Sequence, residues 1–333
     1  MVVPGVQGQV LVPEGQVGGE LERQVLGRLV LDAGEDQPAL AAVDGHLGAD
    51  AVGSGHGPDS ITLARMAVDK SVPEVAWPTL AVWAGVLAGM AGTFALGASH
   101  AVPAWAAGLA ATAFAFWAFT PMHDAAHGSV SRRPWLNRLV GETSAVVLGG
   151  PYAAFRHAHL THHRFTNEVG RDPDRWTGLG PWWQLPLRWA TIEPHYYVFY
   201  AREWDRRPAE ERAAFLASWA VQAALLWALG WDALWFWVLP ARAAMFLLAF
   251  SFDWLPHQPY AALQSEDRIR ATHVTSLPLL TPLWLWQNYH LIHHLYPAVP
   301  CYRYARVWEE EGEALKAKGA RDLWEEWAGP RPT

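Results

Sequence analysis

Four long apolar stretches organise the chain. Thr79 to Gly97 is nineteen residues without a charge, Val102 to Pro121 is a second, residues 213–230 form a third and residues 232–253 a fourth. About 20 apolar residues cross a bilayer core as a helix, so each qualifies by length. The first two are separated by the turn around Ser99–Ala101 and the last two by Gly230–Trp231, which predicts two helical hairpins. The fourth stretch carries Asp232, Pro240 and Arg242. Arg242 lies fifteen residues before His257, about 22 Å along a helix, which predicts that it snorkels to the far interface.

Charge sets the orientation. Residues 122–211 carry eleven arginines, the segment after 254 carries eight basic residues, and the two short turns carry none. By the positive-inside rule the central and C-terminal segments face the cytoplasm, which for a bacterial protein means the inner membrane. The pairs Trp182–Trp183 and Trp284–Trp286, each beside prolines, suit interfacial segments.

Composition agrees. Hydrophobic residues make up 51% and charged residues 17%, against roughly 25% charged in a soluble domain. A net charge of −7 argues against a nucleic-acid binder, and the single cysteine, Cys301, excludes a disulfide framework or cysteine-ligated cluster. Residues 1–65 differ from the rest: they contain no aromatic residue, twelve glycines in the first 60 positions, and nine acids against three arginines. With so little to bury, they are expected to be a disordered tail or a misassigned extension upstream of Met66. Residues 66–333 form the functional domain.

The histidines carry the chemistry. Twelve of the 15 fall between residues 123 and 294, and none of those twelve lies in a predicted span. His123 and His127 are spaced i, i+4, on one helix face. His159, His162 and His163 form an HxxHH pattern, and His290, His293 and His294 repeat it. Such a helix sends its first and last members to one side, with the middle one alongside. A lone HxxxH is weak evidence, but three clusters on one predicted membrane face are not a chance pattern. Imidazole suits zinc, copper, iron and nickel, and eight such ligands exceed what one tetrahedral zinc needs. Two metals are therefore expected, and two irons able to change oxidation state would make an oxygen-activating centre. Asp124, Asp172, Asp174 and Asp253, with Asn167 and Asn288, are the candidates to hold the imidazoles' outer N–H groups. The Asp172-Pro173-Asp174 run reads equally as a turn with a helix cap, and Asn288 is placed to approach a metal through water. His157, two residues before His159, points away from it on a helix and is expected to back a ligand or lie on the surface; His195, His100, His46 and His56 have no partner pattern.

With "HDAAH", "HLTHH" followed by "DPD", "FDWLPHQP" and "QNYHLIHHLYPAVPCYRY" in that order, residues 75–310 resemble the membrane fatty-acid desaturase and hydroxylase superfamily, most closely its cyanobacterial-type β-carotene hydroxylases. The resemblance implies an all-α integral membrane protein whose four-helix anchor lies under a cytosolic helical cap with a di-iron centre, using dioxygen and two external electrons. It also implies a ninth ligand between the last span and the third box. His257, four residues after Asp253, fits that place, and His273 is the competing candidate. The chain has no haem-binding or nucleotide fingerprint, so electrons are expected from a separate ferredoxin or reductase. Three functions stay open: a carotenoid-ring hydroxylase, a fatty-acyl or acyl-lipid desaturase, and a membrane metal-binding or transport protein. Transporters place ionisable ligands inside their spans, whereas these histidines flank them, which disfavours the third.

Overall fold

The structure, a computed structural model, describes residues 67–329. The expected tail at 1–65 lies outside them. Among the described residues the protein is all-α, with two isolated bridges and no strand. Its helices are α1 (Trp77–Ala98), α2 (Ala104–Ala126), α3 (Pro134–Leu148), α4 (Tyr152–Phe165), α5 (Leu185–Ala190), α6 (Ile192–Arg202), α7 (Ala209–Leu229), α8 (Trp231–His257), α9 (Leu280–Leu283), α10 (His290–Leu295), α11 (Tyr304–Ala317) and α12 (Leu323–Ala328).

Three of these, α1, α7 and α8, are long and apolar enough to cross a membrane. Only 22% of the apolar window of α1 and 11% of that of α7 is buried within the protein, so their remaining apolar surface needs a lipid solvent. All but the first two residues of the expected second stretch fall in α2, which has 23 residues but is not among the three. From Ala115 onward α2 turns inward and most of its residues are buried. The α1–α2 hairpin packs closely because Gly89 has no side chain: a Cβ there would lie 2.3 Å from the Phe114 ring. A central core forms where Phe119 stacks on Phe252 of α8 at 5.2 Å and meets Phe155 of α4 edge-on at 5.8 Å. A second core gathers Leu291, Ile292, Val299, Tyr304 and Val307 around α10 and α11.

Helix α8 runs four residues past the expected stretch and ends in a 3-10 turn at Leu255–His257. Two π-helical segments, Leu234–Val238 and Ala249–Trp254, interrupt it. Each turn of π-helix holds one residue more than an α-turn would, which rotates everything after it. Arg242 does not reach outward as expected: its guanidinium pairs with the buried carboxylate of Glu193 on α6 and donates to the Leu148 carbonyl at the end of α3. A long side chain snorkels only where no counter-charge is nearer, and here α6 supplies one. Trp182 and Trp183 are exposed, whereas Trp284 packs edge-on against Phe252 at 5.3 Å and belongs to the core.

Candidate metal centre

All three histidine patterns converge beyond the end of α2. Helix α2 delivers His123 in its last turn and His127 at its C-cap, with ring centroids 5.1 Å apart. Helix α4 carries His159, His162 and His163, α10 carries His290, His293 and His294, and His257 closes α8. The imidazoles sort into two groups. His123, His127, His159, His163 and His293 form one, and His162, His257, His290 and His294 form the other, with ligand atoms in each group within 4.8 Å of one another. As the helical spacing predicts, the outer members of each HxxHH pattern share a group; the middle member, expected alongside them, joins the other group.

In both groups the rings meet through Nε2. His123 lies 2.9 Å and His163 2.7 Å from His293, and His127 is 2.8 Å from His159. In the second group His162 is 3.3 Å and His290 3.1 Å from His294, with His257 3.0 Å from His290. Seven of the nine histidines are at most 5% exposed, His127 and His163 being half-buried. Burial, then repulsion from neighbouring imidazoles, holds His159, His163, His290, His293 and His294 well below the usual histidine range. They are therefore neutral, which is the metal-binding form. Converging neutral imidazole nitrogens are donors that a metal ion takes, and the chemistry of the two groups fits a pair of nitrogen-ligated irons.

The outer nitrogens explain the orientation. His162 Nδ1 is 2.9 Å from Asp172 Oδ1 and 3.5 Å from Asp174 Oδ2. Burial lowers the His162 pKa, but Asp172 and Asp174 outweigh it and raise it to about 9. Asp172 also accepts from the backbone N–H groups of Asn167 at 2.7 Å and Asp174 at 2.9 Å, so the same carboxylate caps the turn and meets the His162 ring. His257 Nδ1 donates to Asn167 Oδ1 at 3.2 Å, and the Asn167 amide is itself fixed on the carbonyls of Ala262 and Ala271. Tyr196 donates to Asp174 at 2.6 Å; burial, and then Asp174, push its phenol well above the usual range.

Other expected partners stand further out. Asp124 approaches His123 only to 3.8 Å and accepts from Thr79 and the backbone of Cys301, tying α1 to the segment after α10. Asp253 lies beside Asp174 and Tyr196 and within electrostatic reach of His162. Asn288 Nδ2 donates to Thr275 and Thr281, and its side-chain Oδ1 is buried without a protein partner. His273 joins neither group; its backbone holds Pro256 and Leu291. His157 pairs with Glu203 at 3.0 Å and His195 stacks on Trp176 at 4.7 Å, in keeping with ordinary roles. Two residues beside the site escaped the sequence reading: Tyr304, whose hydroxyl is 3.0 Å from His293 Nδ1, and Gln287, whose amide is 3.5 Å from His123 Nδ1. Only the position of Gln287 one turn before His290 hinted at either.

An apolar crevice adjoins the five-histidine group. Met122, Leu148, Phe155 and Met245 line it, with Glu193 and Tyr197 at the Gly150 end. Phe155 stacks on His159 at 5.3 Å. Its volume of about 30 Å³ is that of a narrow crevice with a flexible methionine on each side.

A helical membrane protein with a buried, all-histidine pair of ligand groups defines a narrow class, that of non-haem metal oxidoreductases working on lipids. Residues 99–325 match the fatty acid desaturase family model. The chain belongs to that family and is an oxidoreductase of the non-haem di-iron type. Among its relatives, a β-carotene ketolase of Paracoccus sp. is 29% identical over 199 residues, 59% of this chain and 75% of the ketolase. An sn-1 oleoyl-lipid 12-desaturase of Picosynechococcus sp. is 23% identical over 228 residues, 58% of this chain and 65% of that protein. An sn-1 acyl-lipid omega-3 desaturase (ferredoxin) of Nostoc sp. is 34% identical over 110 residues, about three tenths of each chain.

Proposed function

We propose that the protein is a membrane di-iron oxygenase that hydroxylates the ring of a carotenoid. The observation that carries this is the nine imidazoles gathered with their Nε2 atoms inward into groups of five and four. His123, His127, His159, His163 and His293 would hold one iron, and His162, His257, His290 and His294 the other. When bound, the irons supply dioxygen activation and hydrogen removal from an unreactive C–H bond. Asp172 and Asn167 orient His162 and His257, Tyr304 orients His293, and the packed aromatics Phe119, Phe155 and Phe252 keep water from the membrane side. The electrons come from a separate donor such as ferredoxin or a reductase. In this reading α2 is a fourth crossing beside α1, α7 and α8, and the remaining helices form a cytoplasmic cap on a bacterial inner membrane, as the arginine distribution favours.

A C40 carotenoid is roughly as long as the ~30 Å hydrocarbon core, so one ring can reach the histidines while the polyene stays in lipid. The carotene ketolases among the relatives, matched over about three quarters of their length, favour this substrate. The lipid desaturases among the relatives favour a second reading, acyl-chain desaturation, because the same ligand set serves both outcomes and pocket shape selects between them. Expression in a β-carotene-accumulating host, with pigments and fatty acids both profiled, decides. The expected result is a monohydroxylated carotenoid early and a dihydroxylated one later, since the second ring must reorient. An unsaturated acyl product with no xanthophyll replaces this reading by the desaturase.

A further inference from the structure

Away from the histidine groups, a cavity of about 190 Å³ opens between the loop after α8 and the end of α11. Its walls include Gln258, Arg270, Thr272, His273 and Arg321. Two of these side chains are each 3% exposed and carry polar atoms with no protein partner, Thr272 Oγ1 and His273 Nε2. A buried polar atom left unpaired keeps the full cost of its lost hydration, so two on one cavity wall call for an occupant. The backbone makes room for the charge beside them. At Gly319, where φ is +101°, a Cβ would lie 2.5 Å from Arg270 Nε and 3.0 Å from its Nη2, so the guanidinium passes across the glycine where any side chain would displace it. Arg270 meets the partly exposed Asp267 only at 3.5 Å, a pair that contributes little in solvent, while Arg321 keeps a bidentate grip on the partly exposed Glu326.

We propose that this cavity is a second site, distinct from the metal centre, that takes a phosphate oxyanion. Two guanidinium groups, a hydroxyl, an imidazole and the Gln258 amide offer donors from several directions. A tetrahedral anion with several acceptor oxygens uses all of them, where a carboxylate uses two. The volume is several times the ~30 Å³ share of one water. His273, which burial and then Arg321 lower to about 4, is a neutral donor at pH 7. The phosphate is either free in solution or part of a lipid headgroup, and both present the same oxygens. The site borders the metal centre covalently, since Gln258 follows His257, and the His273 carbonyl holds the Leu291 N–H of α10.

The test is calorimetric titration of inorganic phosphate into the full chain in maltoside detergent, which carries no phosphate, and again in phospholipid nanodiscs. Saturable binding in maltoside is expected, weakened tenfold or more by Arg270→Gln and by Thr272→Val and unchanged by Arg306→Gln on an exposed face of α11. Thr272→Val keeps the side-chain shape and Arg270 is a surface residue, so both should fold, with melting curves as the check. Persistence of the heat in nanodiscs assigns the site to free phosphate, and its disappearance there assigns it to a headgroup. No saturable binding in maltoside, or equal binding by wild type and both variants, overturns the proposal and leaves the cavity to water.

Discussion

Asp172→Asn isolates what one carboxylate does for the metal centre, because it keeps shape and removes charge. The native carboxylate, 5% exposed, accepts three N–H groups: His162 Nδ1 and Asp174 N on Oδ1, and Asn167 N on Oδ2. An asparagine has one oxygen to offer. Turned towards His162 it keeps two bonds at neutral strength and sets its NH2 against the Asn167 N–H; turned the other way it loses two. Hydrogen bonds to a charged group contribute about 1.5–3 kcal/mol and an unpaired buried donor costs about 1–3 kcal/mol, so the cheaper orientation destabilises the protein by about 3 kcal/mol. The larger effect falls on iron. Losing the group that fixes a ligand imidazole typically lowers metal affinity 10–100-fold, and here it acts on the His162 group alone. Iron per chain is measured after equilibration against graded chelator, with melting curves on the same samples. Asp172→Asn is expected to give up about half its iron at 10–100-fold less chelator than wild type. Asp124→Asn, whose carboxylate serves Thr79 and Cys301, should melt earlier and keep its iron. Wild-type iron retention by Asp172→Asn refutes the reasoning.

Three further outcomes follow from the geometry. His257→Ala should lower iron from about two to about one per chain while His273→Ala keeps both, by elemental analysis; the reverse pattern would return the ninth position to His273. Arg242→Met leaves the buried Glu193 carboxylate without its counter-charge and should cost about 3–5 kcal/mol, most of it recovered in the double variant with Glu193→Gln; a single variant that melts like wild type removes the pair from the account. His195 is held down to about 4 by burial and then by Arg202 and Arg188, so the unfolded chain binds its proton first. The stability it contributes is complete above about pH 6.5 and is lost as pH falls towards 4, and His195→Phe should flatten the melting temperature over that interval; an unchanged slope counts against it.

What the sequence made legible was local. Hydropathy located the long helices because lipid-facing apolar residues need no partner elsewhere in the chain. The HxxHH spacing foretold which imidazoles share a side because a helix turn of 3.6 residues fixes that without tertiary contacts. The misses are long-range. Arg242 finds Glu193 across 49 positions, Trp284 finds Phe252, and Tyr304 reaches His293 only once α10 and α11 pack together. His257, favoured over His273 from its place after the last span, does join the second group, at the end of a helix whose last turn follows a π-helical segment. Asp124 was near in sequence to His123 yet serves another purpose, because burial beside Thr79 gave it better partners.

The division of the histidines between two groups has a consequence for how the centre can change. His162 and His163 are neighbours on one helix turn and serve opposite groups, as do His293 and His294. Each of those helices is a rung fastened at both rails. A shift of α4 or α10 along its axis moves imidazoles of both groups together, so the spacing between two ions held there would be written into the distance between adjacent residues rather than into the packing of separate domains. A mononuclear descendant therefore cannot arise by the loss of one helix. It has to come by replacing individual side chains and leaving the rung in place.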